Sequence, residues 1–419
     1  MRCETFQPRT ALGQRLAPRN AYRLTRPYPR KSAFICGSFC LTFAPLRLCV
    51  SFLGLPFFCV LCVLLRLFFV CLMLAVRKTA RGVGNIEVQD VPEPHPGPGQ
   101  VVIEVNSSGI CGTDLHIYLD EFETHPPVTI GHETAGTIVE LGAEVNGWAV
   151  GDRVTTETYF YTCGECRSCR QGRRNLCLRR RSIGSKQDGA FARYLLTPAS
   201  NLHRVPDELD LESAALTEPL ACTIHGVLET AGVRAGDNVA VTGPGPIGLL
   251  ALQLAKAAGA TVAMLGTNQD IERLTLAKEL GADHSINVQQ IENVIESITD
   301  AFRADGADLV IECSGAAPAA KTLLDVARRG ARFCQMGLYG KPILLDQDAV
   351  CYKELVVTGT NASVTSAWTR ALKLLAEKKV NAKRLISHRF PIEQWNKALA
   401  VVKNKEGVKV VLKPDAKSS

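Results

Sequence analysis

The segment that most restricts the fold lies past the middle of the chain, where "NVAVTGPGPIGLLALQLAKAAGATVAMLG" runs from Asn238 to Gly266. An apolar run, Asn238 to Thr242, meets three glycines spaced G-x-G-x-x-G: Gly243, Gly245 and Gly248. Pro246 and Ile247 stand where an apolar helix begins. Such a turn suits a strand–helix–strand unit. Its first glycine allows the tight turn, its second lets backbone amides approach a pyrophosphate, and its third lets the helix pack against the strand. Further apolar runs, "ADLVIECSG", "GARFCQMGLYG" and "KELVVTGTN", alternate with helical spacing. The expectation for residues 226–360 is therefore an α/β, doubly wound parallel sheet that binds a dinucleotide.

The end of the second strand bears on which dinucleotide. An acid about twenty residues after the glycines grips the ribose of NAD. Here Gly266 and Thr267 occupy that place, with Asn268 next and Arg273 further on. No carboxylate at the strand end repels a 2′-phosphate, and Arg273 either supplies positive charge or lines a helix face. The pattern favours NADP over NAD.

Residues 73–225 read differently, as short alternating strands punctuated by Gly and Pro turns. They carry two groups of metal-type side chains. Cys111, and His132 followed directly by Glu133, offer a thiolate, an imidazole and a carboxylate. Three protein ligands with a free position are the catalytic zinc pattern. The second group, Cys163, Cys166, Cys169 and Cys177, has the spacing C-x2-C-x2-C-x7-C. Four close thiolates close a tetrahedral structural zinc site, whereas disulfides at that spacing are geometrically awkward. The arginines interleaved in this lobe are expected to offset its negative charge.

The net charge of +7 does not indicate a nucleic-acid partner. From Met1 to Val76 there are ten Arg or Lys and one acid, so the rest of the chain carries a net charge of −2. Leu48 to Leu65 is an uncharged apolar run. Residues 1–72 are expected to be an extension outside the folding unit, or to follow from a wrongly assigned start. The alternative is a membrane anchor through residues 48–76. Cysteines crowd into this leader and the four-cysteine lobe instead of spreading in pairs, which suits a reducing, cytoplasmic compartment. Residues 361–419 return to mixed helix and strand.

In chain order, "GICGTDLH", "GHETAGTIVELGAEV", the four-cysteine lobe, "TEPLACTIHG" and "GPGPIG" resemble the zinc-containing alcohol dehydrogenases of the medium-chain dehydrogenase/reductase superfamily. The resemblance covers Met73 to the C-terminus. It implies a GroES-like catalytic domain, formed by residues 73–225 with residues 361–419, clasping a Rossmann domain. It also implies one catalytic and one structural zinc ion. Cys111 and His132 match the first two catalytic ligands. Glu218 stands where liver-type enzymes carry a further cysteine, which is the wording of the sorbitol and xylitol dehydrogenase branch. In that branch Glu133 commonly ligates, and Glu218 either ligates or holds water; the choice stays open. Thr113 resembles the hydroxyl that takes the substrate proton, and His116 the outer base of a relay. The implied activity is oxidation of a polyol of the sorbitol, xylitol or iditol kind to its ketose, by a homo-oligomer. "CGTDLHIY" is also similar to L-threonine 3-dehydrogenases, but "TETYFYT" before the lobe lacks the histidine expected there. A general alcohol dehydrogenase and a non-catalytic cofactor-binding protein remain alternatives.

Overall fold

The computed structural model describes residues 71–414, which fall within one compact unit. The expectations for the leader up to residue 70 lie outside the described residues. Leu72–Lys78 is a strand paired along its length with Ile86–Pro92, and it buries Ala75 and Val76. The last residues of the 48–76 stretch therefore belong to an antiparallel sheet, which corrects their assignment to an anchor. No helix among the described residues is long and apolar enough to cross a membrane.

The long strand Gln100–Gly109 organises the β-rich half. Val101, Ile103 and Val105 are buried on one face, and Val102 and Ser108 on the other are buried as well, so the strand is covered on both sides. It pairs with Glu133–Leu141 and Tyr194–Pro198, and near its end Ser108 and Gly109 pair with Leu412 and Val411 of Lys409–Lys413. The last strand among the described residues is thus a neighbour of the first half, and Ile386–Pro391 lies parallel beside it.

The second half is a six-stranded sheet, every pair of it parallel. Asn238–Thr242 lies inside it, with Thr261–Gly266 and then His284–Asn287 on one side, and Ala307–Glu312, Ala327–Gln335 and Val356–Gly359 on the other. The chain reverses direction across the sheet between Asn238–Thr242 and Ala307–Glu312, so a ligand crevice is expected beyond those strand ends. Strand residues alternate between two cores. Val239, Val241, Met264 and Ile311 join one, while Ala240, Ala263, Leu265 and Val310 join the other. Both faces are covered by helices, so the strands read as unbroken apolar runs.

"LESAALTEPLACTIHGVLETAGV" has the spacing of one helix, but the structure breaks it. Leu211–Ala214 and Thr217–Ile224 are separate, and His225–Thr230 follows as a π-helical turn. Pro219 has no N–H to donate to the residue 215 carbonyl, and Thr217 Oγ1 bonds the Ala214 carbonyl at 2.7 Å. The break sets Glu218 at the start of its own helix, facing inward.

Candidate functional site

The two halves face each other across a cavity of about 710 Å³. Gly243, Gly245 and Ile247 line one wall, and Cys111, Glu133 and Lys409 line the other. Two of the three glycines of the turn have a steric reason. Gly243 has φ +81°, and a Cβ there would lie 2.7 Å from Ser314 Cα; a Cβ on Gly248 would lie 2.0 Å from the Gly243 carbonyl. Beside Gly245 nothing lies within 4 Å of such a Cβ. That open backbone precedes the helix Pro246–Ala257, whose free N–H groups and dipole favour an anion. Pro246, at the first helical position, has no donor to leave unpaired.

The end of the second strand departs from its sequence pattern. Asp270, three residues beyond Thr267, folds back so that its Oδ2 accepts from Thr267 N at 3.0 Å and from Thr267 Oγ1 at 2.8 Å. A carboxylate therefore does stand at this end of the cleft, supplied by a capping turn that strand spacing does not reveal. Arg273 also lines the cleft, but its guanidinium donates to the carbonyls of Gly407 (2.8 Å) and Lys405 (3.0 Å). Its charge is 3.8 Å from Asp270 Oδ1. The positive charge of Arg273 is thus tied to two carbonyls and to Asp270.

The opposite wall holds the metal-type residues. Cys111 caps the helix Gly112–Tyr118. Asp114, fully buried, accepts from Cys111 N at 2.9 Å through Oδ2, and its Oδ1 has no partner and lies 4.0 Å from His132 Nδ1. Ligand atoms of Cys111, His132 and Glu133 all lie within 4.8 Å of one another. Glu218 is buried beside them and accepts from the Cys222 thiol at 3.3 Å, but it is not among the three convergent ligands.

The electrostatics show what this pocket requires. Burial raises the carboxyls of Asp114 and Glu218. Burial alone would lower His132, yet Cys111, Asp114 and Glu218 outweigh it and hold the imidazole well above its ordinary range. Lys409 behaves alike: burial opposes its charge, and Glu133 and Cys111 restore and raise it. A thiol, three carboxyls, an imidazole and a lysine share this pocket, and the imidazole and the lysine are held charged by their acidic neighbours. Its thiolate, imidazole and carboxylate are the donor set that zinc takes, and the residues present fit that ion.

Lys409 is the residue that sequence reasoning missed. Its Nζ donates to both oxygens of Glu133 (2.8 and 2.7 Å) and to the Ile110 carbonyl (3.0 Å). Gly109 is where the Glu133 carboxylate finds room, since a Cβ there would lie 2.2 Å from Glu133 Oε2. The available signal was a lysine within the apolar alternation of "GVKVVLK". Asp114 was legible only as the fourth residue of a cap, C-G-T-D, and Cys222 carried no signal.

On the helix Gly112–Tyr118, Thr113 Oγ1 lies 3.6 Å from Cys111 Sγ, and His116 follows one turn later. His116 Nδ1 is 2.7 Å from Glu121 Oε2.

The second cysteine group also converges. Cys163, Cys166, Cys169 and Cys177 bring their sulfurs within 4.8 Å of one another, and the amides of Cys163, Cys166 and Cys169 donate to sulfur at 3.4–3.5 Å. The Cys166 amide is the main cause that lowers the Cys163 thiol to about 6. The arginines do not ring this cluster as expected. Arg167, Arg170 and Arg173 are exposed, Arg174 reaches toward Glu157 (3.7 Å), and Arg180 lies over Tyr159. Arg179 is the one that interacts with Cys163, while also paired with Glu165. Backbone amides, more than arginines, face the sulfurs.

Two family models match the chain: "Alcohol dehydrogenase GroES-like domain" over residues 97–207 and "Zinc-binding dehydrogenase" over residues 246–377. The sorbitol dehydrogenase of Halalkalibacterium halodurans is 46% identical over 345 residues, 82% of this chain and 99% of that protein. The D-arabitol-phosphate dehydrogenase of Enterococcus avium is 38% identical over 81% of this chain and 97% of its own length. Among solved structures, a zinc-binding dehydrogenase from Sinorhizobium meliloti bound to NADP is 37% identical, with a TM-score of 0.75, covering 82% of this chain and all of that one.

Proposed function

The chain belongs to the zinc-binding alcohol dehydrogenase family, and on that premise we propose that it oxidises a secondary hydroxyl of a polyol to the ketone, with a nicotinamide dinucleotide accepting the hydride. The observation that carries this reading is that Cys111 and Glu133 line the same cavity as residues Gly243 to Ile247 of the glycine turn. A metal-type cluster and a pyrophosphate-type turn thus share one cleft, within reach of a single small substrate.

Cys111, His132 and Glu133 would hold the zinc ion, with Glu218 beside them. The ion, when bound, supplies a Lewis acid that makes the substrate hydroxyl acidic near neutral pH. Asp114 orients the cluster by fixing the Cys111 backbone and facing His132. Lys409 balances the charge of Glu133 from within the protein. Thr113, next to the cluster, is placed to take the hydroxyl proton, and His116, one turn away on the same helix, to pass it outward. Cys163, Cys166, Cys169 and Cys177 would hold a second, structural zinc ion.

Similarity to the sorbitol and arabitol-phosphate dehydrogenases supports a polyol substrate over threonine. For the cofactor we infer NADP before NAD. The NADP-bound relative supports this, while the Asp270 carboxylate at the end of the cleft weighs toward NAD. We also infer a homo-oligomer, because the edge strand Val356–Gly359 leaves Val356 and Val357 exposed. A cytoplasmic location fits the free cysteines of the described residues. The test is a steady-state screen of sorbitol, xylitol, other polyols, simple alcohols and L-threonine, each with NAD and NADP. Turnover of a polyol, faster with NADP, is expected. Preference for L-threonine overturns the substrate, and preference for NAD overturns the cofactor.

A further inference from the structure

Outside the metal cluster, one polar contact on the helix that begins at Cys111 has no role so far. His116 and Glu121 form a 2.7 Å hydrogen bond, and their side chains are 26% and 39% exposed. The local chain is built to bring them together. After the helix Gly112–Tyr118, Asp120 takes a left-handed conformation with φ +60°, which turns the backbone so that Glu121 N donates to the His116 carbonyl at 2.9 Å. Asp120 is itself near Lys78 (3.9 Å) and Arg81 (3.8 Å), two cations that hold the turn. From the dinucleotide-binding half, Gly340 closes over the pair. A Cβ there would lie 3.2 Å from Glu121 Oε2 and 3.7 Å from His116 Cε1.

We propose that Glu121 is a positioning residue that fixes the tautomer of His116 and so makes it competent as the outer base of the proton relay. This rests on the relay assigned above. An ionised carboxylate can only accept, so the proton of their hydrogen bond belongs to His116 Nδ1. Nε2 is then left with its lone pair, the atom that can take a proton arriving from Thr113. His116 and Thr113 are three residues apart on one helix and share a face. The balance is simple: one proton leaves the substrate hydroxyl, passes by Thr113 to Nε2, and makes His116 an imidazolium paired with Glu121. The partly exposed ring then releases it to water. Without Glu121, Nδ1 loses its acceptor, and the tautomer protonated at Nε2 cannot receive a proton there.

The test uses the zinc-loaded full-length protein labelled with 15N-histidine, with long-range proton–nitrogen spectra reporting which ring nitrogen of His116 is protonated. His116→Gln identifies the signals. The wild type is expected to show His116 protonated at Nδ1. Glu121→Gln, which still offers an oxygen to accept, should keep that tautomer, and Glu121→Leu should move the proton toward Nε2. In turnover, Glu121→Leu is expected to lower kcat about tenfold with KM little changed. It should add no further loss in the His116→Gln background. Unchanged tautomer and kcat in Glu121→Leu, beside a slow His116→Gln, overturn this proposal and leave the relay standing. An equal loss from Glu121→Leu with or without His116 overturns it too, since Glu121 would then act elsewhere. Full turnover by His116→Gln defeats the relay itself, and Glu121's role with it.

Discussion

Replacing Lys409 by methionine tests the charge account of the cleft. Lys409 and Glu133 are 2% and 1% exposed, and all three ammonium protons are used, two on the carboxylate and one on the Ile110 carbonyl. Lys409→Met keeps most of the volume but leaves the Glu133 carboxylate without its cation beside Cys111 and Glu218. Removing one member of a buried pair costs about 3–5 kcal/mol, because the remaining charge is uncompensated. That cost should appear in full in chelator-treated protein, measured as the loss of unfolding free energy in urea and followed by tryptophan fluorescence. With zinc bound, the ion supplies the missing positive charge and the loss should shrink. Chelation empties the cysteine lobe equally in both proteins, so the comparison remains fair. Pairing the change with Glu133→Gln should recover much of the loss, since the orphaned charge is gone. A loss below about 1 kcal/mol in the metal-free protein would refute the reasoning. So would a loss that zinc leaves unchanged.

Cys111→Ser should lower kcat/KM about a thousandfold while circular dichroism stays native, because about 4 kcal/mol of electrophilic assistance is lost with the ion. Cys169→Ser should reduce the zinc content and lower Tm by about 5–10 °C, since a closed metal site contributes folding energy; an unchanged Tm counts against the structural site. Glu212 accepts from Arg389 Nε and Nη2 at 2.9 and 2.7 Å, and these bonds hold its carboxyl below the ordinary range. Its stability contribution is present above the unfolded-state value and is lost as pH falls through the depressed folded one. Glu212→Gln should therefore cost about 1 kcal/mol at neutral pH and nothing in strong acid. A cost that persists in acid would place the effect in packing.

The parallel sheet was legible because its evidence is local: an apolar strand, three glycines in register and a helix, each readable within thirty residues. The two cysteine-bearing groups were legible for a related reason. Thiols at C-x2-C spacing have few other uses, and a Gly-His-Glu run next to a strand puts unlike donors on one short segment. What stayed hidden depends on contacts between distant parts of the chain. Lys409 meets Glu133 only because the last strand pairs with Gln100–Gly109. Asp270 escaped because a capping turn, not the strand, brings it to the end of the cleft. The helix after Leu211 was read as continuous because apolar spacing does not register the missing N–H of Pro219. The arginines of the lobe were assigned to the sulfurs by proximity in sequence, but on so small a loop most side chains point outward.

Metal reconstitution bears most directly on the cleft chemistry. Protein stripped with a chelator, then given zinc in measured steps, should regain polyol-dependent NADPH formation in proportion to the ion taken up by the Cys111 cluster. Cys111→Ser should fill the cysteine lobe yet regain none. Full activity in protein whose zinc occupies the lobe alone would contradict the account.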